Sequence, residues 1–198
     1  MNYLKRLFIA IKLPTPVKAG LSALEHPSPN LKWMNPEQLH ITLYFLGNTN
    51  TAHIDKIKDI IRQNVAGLKS IRLKLSGIGL EKERMVWVRV SDSGEKLYAL
   101  HENLKKAFIK EKIGETPRGR IFQPHILLAK IKEGLGDQNE ILELKKAFKT
   151  LDIEAKSIGL FESKLEPSGA KHTEIFDIEF GKTEGKPKIL DPRTSVDL

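Results

Sequence analysis

The sequence predicts an α+β fold of two pseudo-symmetric lobes, each a mainly antiparallel sheet with helices on the outside, with a cleft between them. Three observations lead there. Apolar residues alternate along short runs and recur at helical spacing between those runs. The order strand, helix, strand, helix, strand occurs twice, over about residues 3–80 and 84–181. The middle strand of each copy carries a histidine, His40 in LHITLYFLG and His125 in PHILLAKIK. A parallel doubly wound sheet suits the same element order, but the chain lacks a glycine-rich strand-to-helix turn.

Residues 3–13 are β-branched and apolar and stop at Pro14, the pattern of a buried strand. Val17, Leu21 and Leu24 then mark one side of a short helix, and the prolines between His26 and Asn30 make a loop. Leu39 to Leu46 read as the second strand, closed by Gly47. Thr51 is placed to cap a helix carrying Ile54, Ile57, Ile61 and Val65, with Gly67 as its stop. Ile71, Leu73 and Leu75 alternate with Arg72, Lys74 and Ser76, a half-buried strand.

The second copy begins with Met85 to Val90. Ser93 caps a helix bearing Leu97, Leu100, Leu104 and Phe108, which ends by Gly114. Phe122 to Ile131 form a strand, Asp137 caps a helix with Ile141, Leu144 and Phe148, and Ile153 to Phe161 form the next strand. A Pro167–Gly169 turn leads to a last strand, Glu174 to Phe180. Residues 1–181 therefore read as one bilobal domain, and 182–198 as a polar C-terminal tail.

With 198 residues and 40% hydrophobic content the chain can build one sizeable core. Lys plus Arg outnumber Asp plus Glu by 33 to 25, a net charge of +8. That field favours encounters with polyanions, although a merely basic, soluble surface accounts for the charge equally well. Cysteine is absent, which removes disulfides, thiol catalysis and zinc sites that need sulfur. The apolar run Leu7 to Ile11 stops at Lys12, short of a secretory core, and no stretch approaches the roughly 20 apolar residues of a membrane span. A cytoplasmic protein without membrane attachment is expected.

Strict alternation places His40, Thr42, Tyr44 and Leu46 on one side of their strand, and Ile41, Leu43 and Phe45 on the core side. By the same parity His125 and Leu127 share a face, with Ile126 and Leu128 turned inward. Histidine exchanges protons near neutral pH, so one imidazole can activate water while a second protonates a departing ribose oxygen. Two of them flanking a phosphorus atom meet the needs of phosphodiester hydrolysis, and the Thr42 hydroxyl is placed to donate to a non-bridging oxygen. His26 and His53 read as surface residues and His101 as a packing residue. Trp87 suits either the core or a stack on a base, and Arg118 and Arg120 suit either phosphate contacts or a plain solvated loop.

These residues resemble the 2H phosphoesterases, in particular the RNA 2′,3′-cyclic phosphodiesterases also called 2′-5′ RNA ligases. The likeness runs from Arg6 to about Phe180. RLFIAIKLP is similar to the family's opening strand, LHITLYFLG to its first His-x-Thr motif, MVWVRV to its central strand, FQPHILLAK to its second motif and LEPSGAKHTEIFDIEF to its closing hairpin. Two such motifs 85 residues apart within matching flanks are specific where one would be weak. The resemblance implies hydrolysis of a terminal 2′,3′-cyclic phosphate to a 2′-phosphate by His40 and His125, with no cofactor and no metal. It also implies RNA ends or small cyclic nucleotides as partners, and a monomer is expected. Phosphate binding is expected from Thr42, with Lys130, His172 and Arg120 beside it. Three positions depart from the pattern. Leu127 stands where the second motif carries Thr or Ser. Lys130 replaces a frequent Arg, its odd offset from His125 turning it away from the cleft unless the strand bulges. His172 replaces a frequent aromatic and is placed to stack on a base. The rivals are a ligase or other cyclic phosphodiesterase using the same site, and a weakened binder of nucleotides.

Overall fold

The computed structural model describes residues 3–82, 84–92, 94–115, 121–132, 138–167 and 169–182. Among them the strands are β1 (Leu4–Lys12), β2 (Leu31–Trp33), β3 (His40–Asn50), β4 (Ile71–Glu81), β5 (Met85–Ser91), β6 (His125–Ile131), β7 (Leu151–Ala155), β8 (Ser157–Glu166) and β9 (Gly169–Glu179). The helices are α1 (Thr15–Ser22), α2 (Ile54–Val65), α3 (Lys96–Lys110) and α4 (Gln138–Ala147). One sheet has the order β3-β1-β8-β9 and the other β2-β6-β5-β4-β7. Every pairing among the described residues is antiparallel, which removes the parallel doubly wound alternative.

The duplication is visible as an exchange. With the short β2 and β7 set aside, the first two strands of each half pair, β1 with β3 and β5 with β6. The third strand of each half then joins the other half's pair: β4 lies on β5, and β8 lies on β1. In β1 Leu7, Phe8, Ile9, Ala10 and Ile11 are all buried, as a central strand covered on both faces requires. Helix α2 buries Ile57, Ile60, Ile61 and Val65, and α3 buries Leu97, Leu100, Leu104 and Phe108. Those apolar stripes meet where α2 packs on α3 and α3 on β3, while α4 lies on β4.

Several expectations need correction. The run Ile153–Phe161 is not one strand: it breaks at Lys156, β7 ending in the sheet of β4 and β8 beginning in the sheet of β1. β3 does not close at Gly47 but runs on to Asn50, with Gly47 at φ +64°. Asn50, not Thr51, caps the turn before α2, its side chain accepting the Ala52 N–H at 2.9 Å. Phe122 lies outside β6, β9 begins at Gly169, and the short β2 was not foreseen. The expected caps Ser93 and Asp137 lie outside the described residues, as do Ser168 of the 167–169 turn and all of the tail beyond residue 182. The carboxylate of Asp92 accepts the N–H groups of Gly94 (2.9 Å) and Leu97 (2.6 Å) at the start of α3.

Candidate active site

The two histidine strands carry the same irregularity at the same offset. Between Ile9↔Tyr44 and Ala10↔Thr42 the β1–β3 register skips Leu43, and between Val86↔Ala129 and Trp87↔Leu127 the β5–β6 register skips Leu128. Each skipped residue lies three positions after its histidine. A bulge reverses the alternation beyond it. Leu43 and Tyr44 are therefore both buried, as are Leu128 and Ala129, and the fifth residue after each histidine turns outward. On β3 that residue is Phe45, 60% exposed, while Tyr44 and Leu46 go to the core at 2% and 0%. The expected assignment of these three side chains is thus reversed. On β6 the residue is Lys130, which the bulge returns to the side of His125 in spite of its odd offset. The carbonyls at the bulges find other donors. Leu43 accepts the His101 Nδ1–H from α3 at 2.8 Å, and Leu128 accepts the Met34 backbone N–H at 2.8 Å. His101, expected only to pack, therefore fixes the bulge and stacks on Phe122 at 4.1 Å between centroids.

β3 and β6 adjoin across the two sheets, with Cα atoms within 8 Å. Each histidine is tied in the same way. His40 Nδ1 lies 2.5 Å from the Gln38 carbonyl, and His125 Nδ1 lies 2.8 Å from the Gln123 carbonyl. A carbonyl can only accept, so each Nδ1 carries the hydrogen and each Nε2 is left to exchange a proton. His40 Nε2 stands 3.0 Å from Thr42 Oγ1. At the equivalent place beside His125 the side chain is Leu127, which has no hydroxyl to offer.

Aromatic walls hold the rings. His40 lies 5.1 Å from Phe8 and 6.4 Å from Phe161, and His125 meets Trp87 edge to face at 4.9 Å. Phe161 and Trp87 lie over Gly159 and Gly79, where a Cβ would come within 2.6 Å and 2.7 Å of the rings. His172, on β9, packs edge to face against Phe8 at 4.8 Å and His40 at 5.3 Å. Its buried Nδ1 has no hydrogen-bond partner among the described residues.

Burial pushes the His40 imidazole from 6.5 down to about 4, with His172, His125 and Lys18 adding repulsion and the Gln38 carbonyl opposing the shift. His40 is therefore neutral at physiological pH. Burial also lowers His172, assisted by the charges of Lys130 and Arg6. The structure thus brings together His40, Thr42, His125, Lys130 and His172, with Leu127 on the His125 face. Arg118 and Arg120 lie outside the described residues. Sequence reasoning missed Arg6, whose charge acts on His172, and the outward turn of Phe45, for which strict alternation gave the opposite sense.

Among the described residues there is no group of three or more His, Cys, Asp or Glu arranged to hold a metal ion. Nor is any described helix long and apolar enough to cross a membrane.

The chain is 27% identical over 162 residues to an RNA 2′,3′-cyclic phosphodiesterase of Aquifex aeolicus (strain VF5), covering 76% of this chain and 82% of that protein. Its fold is similar to the crystal structure of TT0787 of Thermus thermophilus, with a TM-score of 0.73, 23% identity, and coverage of 89% of this chain and 98% of that one. It is also similar to E. coli LigT complexed with 3′-AMP, with a TM-score of 0.69, 18% identity, and coverage of 90% and 99%. The family model of the 2′-5′ RNA ligase superfamily matches residues 13–165, spanning both histidine strands. The chain belongs to this superfamily of 2H phosphoesterases, a family of enzymes.

Proposed function

We propose that the protein hydrolyses the 2′,3′-cyclic phosphate at an RNA end, or on a small cyclic nucleotide, to a 2′-phosphate, using His40 and His125 without a metal. The observation that carries this reading is the matched pair of imidazoles on adjoining, duplicated strands, each with Nδ1–H held by a carbonyl and Nε2 turned to proton exchange, that of His40 accepting the Thr42 hydroxyl until the hydroxyl turns to a phosphate oxygen. The name of the Aquifex aeolicus relative supports the substrate.

In this reading the neutral His40 is the base. Its Nε2 takes a proton from water as the water oxygen bonds to phosphorus. His125 gives a proton to the 3′-oxygen as the P–O3′ bond breaks, so a 2′-phosphate and a free 3′-hydroxyl result. Thr42 donates its hydroxyl to a non-bridging oxygen, and Lys130 and Arg6 supply positive charge around the phosphate, with the uncharged His172 beside them. Leu127 leaves the His125 side one donor short, which slows the reaction without removing its acid–base pair. That shortage is the observation favouring a second reading, a binder of nucleotides with little turnover.

The test is an oligonucleotide ending in a 2′,3′-cyclic phosphate, assayed with excess chelator. Turnover by the wild type that is lost in both His40→Ala and His125→Ala is expected. Abolition by the chelator alone overturns the metal-free mechanism, and tight binding without turnover selects the second reading.

A further inference from the structure

His125 stands at the edge of a cationic strip that acid–base chemistry does not use. On β5, Val88 and Val90 are buried while Arg89 and Ser91 are exposed. Arg89 is the register partner of His125 across the β5–β6 ladder. Directly opposed residues of an antiparallel pair share a face, so both side chains leave the sheet on the same side. Trp87, of the same parity as Arg89, meets the His125 ring at 4.9 Å on that side. On β4 the exposed Lys74 is the partner of Ser91, one strand further out and diagonal to Arg89. Among the described residues neither cation forms an ion pair, although Asp152 stands opposite Lys74 on β7. An exposed arginine needs no explanation by itself. This one is the cross-strand neighbour of a reacting group.

The strands set these groups out in one direction. β3 adjoins β6, β6 pairs with β5, and β5 pairs with β4. From His40 the row runs to His125, Arg89 and Lys74, each step within the sheet being about 4.8 Å. An in-line displacement puts the attacking water and the departing oxygen on opposite sides of phosphorus. With His40 at the water and His125 at the 3′-oxygen, the ribose lies on the His125 side. Its 5′ carbon leaves the ring on the face opposite the cyclic phosphate, further from His40. In an RNA chain that carbon carries the next phosphodiester, with one negative charge. In a free cyclic nucleoside phosphate it carries only a hydroxyl.

We propose that Arg89, assisted by Lys74, binds the phosphodiester on the 5′ side of the terminal ribose, which makes the end of an RNA chain the preferred substrate over a free cyclic nucleotide. The assignment rests on the proposed function for the location of the cyclic phosphate. A guanidinium presents two parallel N–H groups to a phosphate, and a backbone contact of this kind reads chain continuity without reading base identity.

The experiment measures kcat/KM for three substrates: the dinucleotide ApA ending in a 2′,3′-cyclic phosphate, the same dinucleotide with an uncharged methylphosphonate linkage, and adenosine 2′,3′-cyclic phosphate. The wild type is expected to prefer the charged dinucleotide over both others about ten- to hundredfold. Arg89→Ala removes most of that preference, Arg89→Lys keeps part of it, and Lys74→Ala lowers it less. A variant whose site is merely disturbed loses activity on all three substrates together, so the ratio isolates the contact. A preference that persists in Arg89→Ala, or a wild type that has none, overturns the assignment. Calorimetric binding of ApA ending in a 2′-phosphate, and of its methylphosphonate counterpart, is measured in parallel and is expected to show the same ratio. A wild type that binds the charged product through Arg89 but turns over none of the substrates sinks the proposed hydrolysis and leaves the subsite standing. Turnover and binding that both ignore Arg89 sink the subsite alone.

Discussion

Replacing His40 by Asn tests whether its environment holds the ring neutral. The amide of Asn can still donate to the Gln38 carbonyl, but it does not titrate. In the wild type, burial moves the folded-state pKa from 6.5 to about 4. The unfolded chain therefore binds this proton first as the pH falls, so stability declines through the window between 6.5 and about 4. The full cost is about 3 kcal/mol, reached below the lower value. Between about pH 7.5 and pH 5 it amounts to roughly 2 kcal/mol. For a chain of this size that lowers Tm by about 4–8 °C more in the wild type than in His40→Asn. Urea unfolding followed by circular dichroism at the two pH values, for both proteins, gives the difference directly. Groups away from His40 titrate in both chains and cancel, and His172, which packs against it at 5.3 Å, is held constant by making the comparison in a His172→Asn background. Parallel pH dependences would mean that the folded ring titrates near its ordinary value, and the assignment of His40 as the ready base would fall.

Leu127→Thr restores a hydroxyl at the place that Thr42 occupies beside His40. A bond to a charged acceptor contributes ~1.5–3 kcal/mol, so kcat on a cyclic phosphate is expected to rise about ten- to hundredfold. An unchanged kcat in steady-state assays would show that the lost donor has been replaced by other groups. His101→Phe keeps the ring that stacks on Phe122 but leaves the Leu43 carbonyl without its 2.8 Å donor. A loss of about 1–3 kcal/mol in urea unfolding is expected, and no loss would remove His101 as the support of the bulge.

Much of the fold is legible because burial imposes simple periods. The apolar run in β1 and the helical stripes of α2 and α3 follow directly from which faces are covered. The histidines are legible because the duplication repeats them between similar flanks. What escapes the sequence depends on distant partners. Alternation continues through Ala155, Lys156 and Ser157, but the break is set by pairing with Ile71–Leu75 on one side and Leu7–Ile11 on the other. Nothing local distinguishes Leu43 from an ordinary strand residue. Its bulge comes from the β1 register and the His101 donor on α3, and it alone decides that Phe45 faces outward and Tyr44 inward. At β6 the same displacement makes Lys130 available, where strict parity would have hidden it. β2 has three residues and exists because β6 offers it an edge.

The traded third strands have a mechanical consequence. The backbone passes from one sheet to the other between β1 and β2, β2 and β3, β3 and β4, and again between β7 and β8. Pulling the two repeats apart would require stripping β4 from β5 and β8 from β1, breaking a ladder inside each sheet. The paired imidazoles face each other across the junction of two sheets that four chain crossings stitch together. Cutting the gene at its internal repeat would yield two pieces, each missing a strand that only the other can provide.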